Sequence, residues 1–103
     1  MWTRNDNGSD VEWRGAVYYC RNLSLGGYSG WRLPAIEELK KIYDPRTAGH
    51  FRGGIHGGWL EWSATPNGSA EAWILDFRNG RQFSGRVDQR VDKRALCVRR
   101  ARE

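Results

Sequence analysis

The chain has 103 residues, of which 39% are hydrophobic, and a formal net charge of +5. This length allows one domain with a small core, and no apolar run approaches the roughly 20 residues of a transmembrane helix. No signal peptide is recognisable at the start. We therefore expect one domain over residues 1–103, without membrane insertion.

A short strand over residues 1–4 and a helix over residues 11–23 are predicted at the start of the chain. Ser9, with Glu12 three residues later, matches a capping box, which satisfies free N–H groups at a helix N-terminus. Apolar side chains then recur with the spacing of a buried helix face. They are Trp13, Ala16, Val17 and Cys20. We expect this face to lie in the core.

A glycine-rich turn joins this helix to a second one. Gly26 and Gly27 suit the left-handed conformation that ends many helices. Pro34 has the φ angle of a first helical residue, and the apolar stripe after it predicts a helix over residues 34–43. Trp31 lies between the helices and needs both apolar cover and an acceptor for its N–H. The turn therefore sets how the two helices face each other.

Residues 45–58 have no periodic pattern and contain five glycines, so they predict a long loop, which in compact domains tends to be functional or mobile. His50 and His56 in this loop are candidate metal ligands, but no cysteine or carboxylate lies between them. We favour the alternative, in which both histidines pack at the surface on Phe51 or Trp59.

The second half of the chain has the patterns of β-strands, at residues 59–64, 71–78, 81–87 and 94–100. Asn79-Gly80 is typical of a two-residue hairpin turn in which both residues take positive φ. Two helices followed by an antiparallel β-meander make an α+β domain.

Several segments resemble a known family. Residues 26–44 are GGYSGWRLPAIEELKKIYD. They are similar to the signature of a bacterial domain family of unknown function, named after the C-terminal domain of a collagen-like adhesin. The other matching segments are Tyr19-Cys20, Trp62-Ser63, residues 72–77, Gly80 and Cys97-Val98-Arg99. The resemblance covers nearly the whole chain and implies a C-type lectin-like fold, with the N- and C-terminal strands close together.

The chain has two cysteines, Cys20 and Cys97. From the residues alone, a disulfide and two buried free thiols are both open. The resemblance favours a Cys20–Cys97 disulfide, because lectin-like folds commonly tie the first helix to the last strand. A disulfide implies an oxidising compartment, so we expect an extracellular or periplasmic location. The resemblance also implies a domain cut from a longer secreted chain, because Met1 lies where family members usually have an internal Leu-Met-Trp. The alternative is a short complete protein.

The sequence gives little support for an enzyme, a cofactor or a metal. It has no glycine-rich phosphate loop, nucleophile elbow or zinc-binding helix motif. Formylglycine-generating enzymes share the lectin-like fold and use a reactive cysteine pair, whereas Cys20 lies on an apolar helix face. Calcium needs six to eight oxygen ligands, and the motifs of calcium-dependent lectins are missing. One of these motifs is Glu-Pro-Asn or Gln-Pro-Asp, and Thr65-Pro66-Asn67 lacks its carboxylate or amide.

The candidate binding residues lie mainly in the last quarter of the chain. Residues 78–103 carry nine basic and three acidic side chains, a net charge of +6, against −1 for residues 1–77. Arginine binds planar oxyanions through two parallel hydrogen bonds, and Trp59 beside the glycine loop is a candidate for stacking on a sugar. The predicted ligand-binding residues are Trp59, Arg78, Arg81, Arg86, Arg90, Lys93 and Arg94. The alternative is that these arginines only solvate exposed strands.

The resemblance implies the ligand class, because the adhesin domain is associated with sulfated glycosaminoglycans. We therefore expect a non-enzymatic binding module for acidic or sulfated polysaccharide. The alternative is a protein-recognition or ligand-display module of a larger bacterial surface protein. Nucleic-acid binding, with Phe83 and Tyr28 stacking on bases, fits a disulfide-linked extracellular domain poorly. A homo-oligomer stays open, since the adhesin relative is trimeric through a collagen-like part that this chain lacks.

Overall fold

Two helices and a four-stranded sheet make up the part of the chain that the computed structural model describes, residues 1–99. The helices are α1, Trp13–Arg21, and α2, Ile36–Lys41. The strands are β1, Leu60–Pro66, β2, Glu71–Asp76, β3, Arg81–Arg86, and β4, Lys93–Arg94. Short 3-10 turns at Ala48–His50 and Arg52–Gly54 interrupt the loop between α2 and β1. The predicted α+β class is confirmed.

The strand order in the sheet is β3-β2-β1-β4. Strands β1, β2 and β3 form the predicted antiparallel meander. Strand β4 pairs with β1 in parallel, with Lys93 opposite Leu60 and Arg94 opposite Glu61. The prediction of a wholly antiparallel sheet is therefore wrong at its last strand. The chain reaches the free edge of β1 after residues 87–92 and then runs in the same direction as β1.

The two ends of the described chain lie side by side. The Thr3 N–H donates to the Cys97 carbonyl at 3.0 Å, and Val98 forms isolated bridges with Trp2 on one side and Arg32 on the other. The predicted closeness of the terminal segments is confirmed. The predicted strands over 1–4 and 94–100 are shortened to these bridges and β4, and Arg100 lies outside the described residues.

The sheet is covered on both faces, as the pattern of β2 requires. Ile74 and Trp62 belong to the buried cluster that packs against α1. Leu75 and Phe77 belong to a second cluster with the apolar side chains of α2. Because successive side chains in a strand point to opposite faces, β2 serves both clusters.

The predicted capping box before α1 is wrong. The helix begins at Trp13, with Glu12 as the N-cap and no side-chain capping bond. The N–H of Val11 instead donates to the Lys93 carbonyl at 2.8 Å, and that of Trp13 to the Val87 carbonyl at 3.1 Å. Carbonyl groups from the C-terminal half of the chain therefore satisfy N–H groups at the start of α1.

Helix α2 is shorter than the predicted span of 34–43. Pro34 precedes the N-cap, Ala35, so it is not the first helical residue. The Glu38 carboxylate accepts a hydrogen bond from the Ala35 N–H at 2.8 Å, and Thr65 Oγ1 accepts one from the Ile36 N–H at 3.0 Å. The start of α2 is thus fixed partly by a residue of β1.

The loop between β2 and β3 contains four residues, 77–80, because Asp76 and Arg81 are the last paired residues. Gly80 has φ 74°, whereas Asn79 lies outside the positive-φ region. The Gly80 N–H donates to the Asp76 carbonyl at 2.8 Å, and the Asp76 carboxylate accepts the Arg78 N–H at 2.9 Å. The predicted two-residue turn is wrong, because Asp76 stabilises this longer loop with its own side chain.

A disulfide joins Cys20 of α1 to Cys97 in the C-terminal segment, with Cα atoms 5.4 Å apart and a sequence separation of 77. This pairing is the one that the family resemblance implies. In the chain-entropy model, closing a loop of this length stabilises the fold by about 4–5 kcal/mol.

Candidate functional site

The glycine-rich signature makes structural contacts. Trp31 is 4% exposed, and its indole N–H donates to the Tyr28 carbonyl at 3.2 Å. The Arg99 guanidinium lies 4.7 Å from the centre of the Tyr28 ring, and its Nε donates to the Ser29 carbonyl at 2.8 Å. The signature thus ties the turn between the helices to the C-terminal segment.

Most of the tryptophans are structural as well. Trp62 is fully buried, and its indole N–H donates to the Val11 carbonyl at 2.8 Å. The tryptophans that pack in or against the two buried clusters include the four predicted to be core, Trp13, Trp31, Trp62 and Trp73. Trp59 differs, because 48% of its surface is exposed.

A cleft of about 280 Å³ opens beside Trp59. Its walls come from five parts of the chain: the segment before α1, the start of β1, the loop after β2, the loop before β4, and β4 itself. We call it the Trp59 cleft. Its lining residues are Asp10, Gly58, Trp59, Leu60, Arg78, Asp92 and Arg94.

The Trp59 side chain packs on a histidine of the glycine-rich loop, residues 45–58. The His50 ring lies 5.6 Å from the Trp59 ring, centre to centre, and His50 Nδ1 donates to the Phe77 carbonyl at 2.6 Å. The Phe77 N–H in turn donates to the Trp59 carbonyl at 2.7 Å. The predicted surface packing of a histidine on Trp59 is confirmed for His50, whereas His56 is exposed in a separate shallow depression.

Arg78 enters the cleft already paired with a carboxylate. Its Nε and Nη2 donate to the two oxygens of Asp76 at 3.0 and 2.8 Å. The hydrogen bonds from Arg78 lower the pKa of Asp76. The pair orients the guanidinium and leaves 59% of the Arg78 side chain exposed to a ligand.

Arg94 packs along the backbone of the glycine-rich loop. A Cβ atom at Gly58 would lie 3.1 Å from Arg94 Cδ, so glycine at this position allows the close approach. Arg94 Nη1 lies 3.6 Å from Asp6 Oδ1, and Asp6 Oδ2 accepts the Gly58 N–H at 2.7 Å. Arg94 is thus held against the wall while part of it stays exposed.

A buried acid lies next to this wall. Glu61 is fully buried, and neither of its oxygens receives a hydrogen bond from another group of residues 1–99. Burial, together with the neighbouring Asp6 carboxylate, raises the pKa of Glu61 well above its usual value. The charge of Arg94 acts in the opposite direction on the pKa of Glu61, but its effect is smaller than that of burial.

The other predicted binding residues are not among those that line the cleft. Arg81 and Arg86 lie at opposite ends of β3, and Arg86 pairs with Asp88 at 3.2 Å. The Lys93 ammonium donates to the Val91 carbonyl at 3.2 Å, and Arg90 lies in the exposed loop before β4. The structure therefore gathers three of the seven predicted residues in one cleft.

The sequence reasoning missed Asp10 as part of this site. Asp10 precedes α1 and lies far along the chain from Asp92, yet both line the cleft. The local pattern around Asp10 carries no signal of this neighbour. Within residues 1–99, no cluster of three or more His, Cys, Asp or Glu side chains could hold a metal ion.

No helix in the described part of the chain is both long enough and apolar enough to cross a membrane.

The sequence matches the family model of the Lcl C-terminal domain over residues 1–99. The chain belongs to the Lcl C-terminal domain family. This domain is a module of collagen-like adhesins, and no catalytic family is indicated. A search of curated proteins gave no match.

Membership explains which residues form the fold of this Lcl C-terminal domain. The signature segments around Trp31 and Cys97 make the contacts described above, whereas Trp59, Arg78 and Arg94 lie outside those segments. A disulfide-linked domain of an adhesin family is consistent with an extracytoplasmic location.

Proposed function

We propose that this domain is a non-enzymatic, extracellular binding module that holds an acidic or sulfated polysaccharide in the Trp59 cleft. The observation that carries the proposal is the meeting of a half-exposed indole ring with two guanidinium groups, those of Arg78 and Arg94. We also assign the fold to the C-type lectin-like class. The disulfide from α1 to the C-terminal segment and the paired chain ends support that assignment.

The chemistry of the lining suits an acidic sugar. An indole ring offers a flat apolar face for the C–H groups of a sugar, and guanidinium groups bind carboxylate or sulfate through paired hydrogen bonds. The carboxylates of Asp10 and Asp92 can accept hydrogen bonds from sugar hydroxyls. Donors, acceptors and a stacking surface are therefore present together.

Four further basic residues lie outside the cleft, on β3, in the loop before β4 and on β4. They are Arg81, Arg86, Arg90 and Lys93. A polysaccharide continues beyond one sugar, so these side chains offer further contacts to its acidic groups. Such exposed contacts weaken with salt, since the Debye length falls to about 8 Å at physiological ionic strength.

The second candidate function is protein recognition within a larger bacterial surface protein. Tyr18 on α1 and Val91 in the loop before β4 are each 69% exposed. Large apolar side chains at the surface are typical of protein interfaces when they cluster. Binding through such a surface would depend little on salt, which separates it from the polysaccharide proposal.

The proposal is tested with the oxidised protein on a panel of sulfated, uronic-acid and neutral polysaccharides at low and physiological salt. We expect binding to the acidic chains that weakens as salt rises. Trp59→Ala should weaken it by about three- to ten-fold, through lost stacking. Failure to bind any acidic chain at low salt would refute the proposal and direct attention to protein partners.

A further inference from the structure

A second depression, of about 470 Å³, shares no lining residue with the Trp59 cleft. It lies between the N-terminal segment, the end of α2 and the glycine-rich loop. We call it the Trp2 groove. Its lining residues are Trp2, Arg4, Ile42, Arg52, Gly53, Gly54 and Ile55.

Backbone hydrogen bonds hold the walls of the groove together. The Arg52 N–H donates to the Ile42 carbonyl at 2.8 Å, which fixes the loop against the end of α2. The His56 N–H donates to the Arg4 carbonyl at 2.7 Å, which fixes the same loop against the N-terminal segment. The groove is therefore formed before any ligand binds.

The polar side chains of the groove can only donate hydrogen bonds. Its apolar surface comes from Trp2, Ile42 and Ile55. Its polar side-chain groups are the guanidinium groups of Arg4 and Arg52 and the indole N–H of Trp2. None of the lining residues has a side-chain acceptor, in contrast to the two aspartates of the Trp59 cleft.

Both arginines of the groove are exposed, and within residues 1–99 neither side chain makes a hydrogen bond or an ion pair. The hydrogen bonds from Arg46 lower the pKa of Asp44, and the charge of Arg52 adds a smaller effect in the same direction. That carboxylate is already bound by Arg46, at 3.0 and 3.2 Å. Among residues 1–99, the guanidinium groups of Arg4 and Arg52 therefore have no hydrogen-bond or ion-pair partner of their own.

The apolar surface and the donor-only side chains of the groove together limit which ligand it could bind. Sugar hydroxyls both donate and accept, and no side chain that lines this groove could accept a hydrogen bond from them. A ligand with an apolar body and a group that only accepts hydrogen bonds matches the side chains that line the groove. The volume falls within the usual range for small-ligand pockets, about 300–1,000 Å³.

We propose that the Trp2 groove binds an apolar group that carries a carboxylate. The carboxylate faces Arg4 and Arg52, and the apolar body packs on Trp2, Ile42 and Ile55. Two sources share this chemistry, the C-terminal residue of a polypeptide with an apolar side chain and a free aryl or alkyl acid. The site does not depend on the polysaccharide proposal, because the two share no residue.

The experiment is an NMR titration of the ¹⁵N-labelled, oxidised domain with N-acetyl-phenylalanine and with its uncharged amide. We expect saturable shifts of the Trp2, Ile42 and Ile55 amide signals, with a dissociation constant on the order of a millimolar or below. The amide should bind about ten-fold more weakly, because it loses the charge-assisted hydrogen bonds. Two further titrations then distinguish the two sources. A tripeptide that ends in phenylalanine represents the polypeptide C-terminus, and 3-phenylpropanoate represents the free acid.

Arg4→Ser with Arg52→Ser should weaken the acid by about ten-fold or more and leave the weak binding of the amide unchanged. The matched control, Arg14→Ser with Arg21→Ser, removes the same charge from exposed positions on α1 and should leave both titrations unchanged. No saturation by the acid, equal affinity for acid and amide, or equal loss in both double variants would overturn the proposal. All four arginines are exposed, so the variants are expected to fold.

Discussion

Glu61 and Arg94 are direct partners in the parallel pairing of β1 with β4, but Arg94 forms its ion pair with Asp6, at 3.6 Å. Asp6 accepts N–H groups from Gly8 and Gly58 at 2.8 and 2.7 Å. Glu61 is fully buried and receives no such donor within residues 1–99. Burial without a donor disfavours the charged form of a carboxyl group and therefore raises the pKa of Glu61.

The raised pKa of Glu61 predicts that the stability of the domain depends on pH. Because the pKa of Glu61 is higher in the folded than in the unfolded protein, its contribution is fully present below the unfolded pKa. The contribution is lost as pH rises through the folded pKa. Glu61→Gln keeps a neutral donor toward Asp6, so the variant should gain stability relative to the wild type as pH rises. Urea denaturation from about pH 4 to pH 9 measures this difference.

The control for this prediction is Glu37→Gln, which neutralises an exposed carboxylate on α2. It should leave the pH dependence close to that of the wild type. A Glu61→Gln protein whose stability follows the wild-type curve at every pH would contradict a raised pKa of Glu61 in the folded protein.

The β2–β3 loop should tolerate no side chain at Gly80. A Cβ there would lie 2.5 Å from the Tyr43 ring, at φ 74°. Gly80→Ala should therefore cost about 2–4 kcal/mol, through left-handed strain and overpacking. Gly68→Ala is the matched control, since its φ is 80° but no atom lies within 4 Å of the added Cβ. It should cost only about 1–2 kcal/mol, and equal losses in urea denaturation would show that the Tyr43 contact is unimportant.

The disulfide should be a large part of the stability of this small domain. Replacing Cys20 and Cys97 together by alanine should lower the free energy of unfolding by about 4–5 kcal/mol, the chain-entropy value for this loop. Reduction of the wild type with dithiothreitol should have a similar effect on the thermal midpoint. An unchanged midpoint after complete reduction would contradict a stabilising role for the bridge.

The sequence predicts the elements whose patterns are local. The apolar spacing from Trp13 to Cys20 indicates α1, and the alternation around Ile74 indicates the two-sided burial of β2. Strand β4 was not predictable in its observed form, because Lys93-Arg94 has no strand pattern and its parallel partner lies some 30 residues earlier. Tertiary hydrogen bonds hold the chain there, including those from the Val11 N–H to the Lys93 carbonyl and from the Asn7 N–H to the Ala95 carbonyl.

The candidate site was predictable to a similar extent. Trp59, Arg78 and Arg94 were identifiable by residue type, because an indole beside a glycine loop and arginines near a hairpin have recognisable chemistry. Their meeting in one cleft depends on how β4 packs beside β1. Asp10 had no such signal, because a carboxylate in a turn before a helix usually has a local role.

We propose that Arg78 and Arg94 hold an acidic group of a polysaccharide in the Trp59 cleft. Calorimetric titration of a sulfated oligosaccharide into the double variant Arg78→Ser with Arg94→Ser, at low salt, tests this. The double variant Arg14→Ser with Arg21→Ser is the control of equal charge. We expect a loss of affinity of about ten-fold or more in the cleft variant and at most a small loss in the control. Equal affinities of the two double variants would refute the proposed role of Arg78 and Arg94.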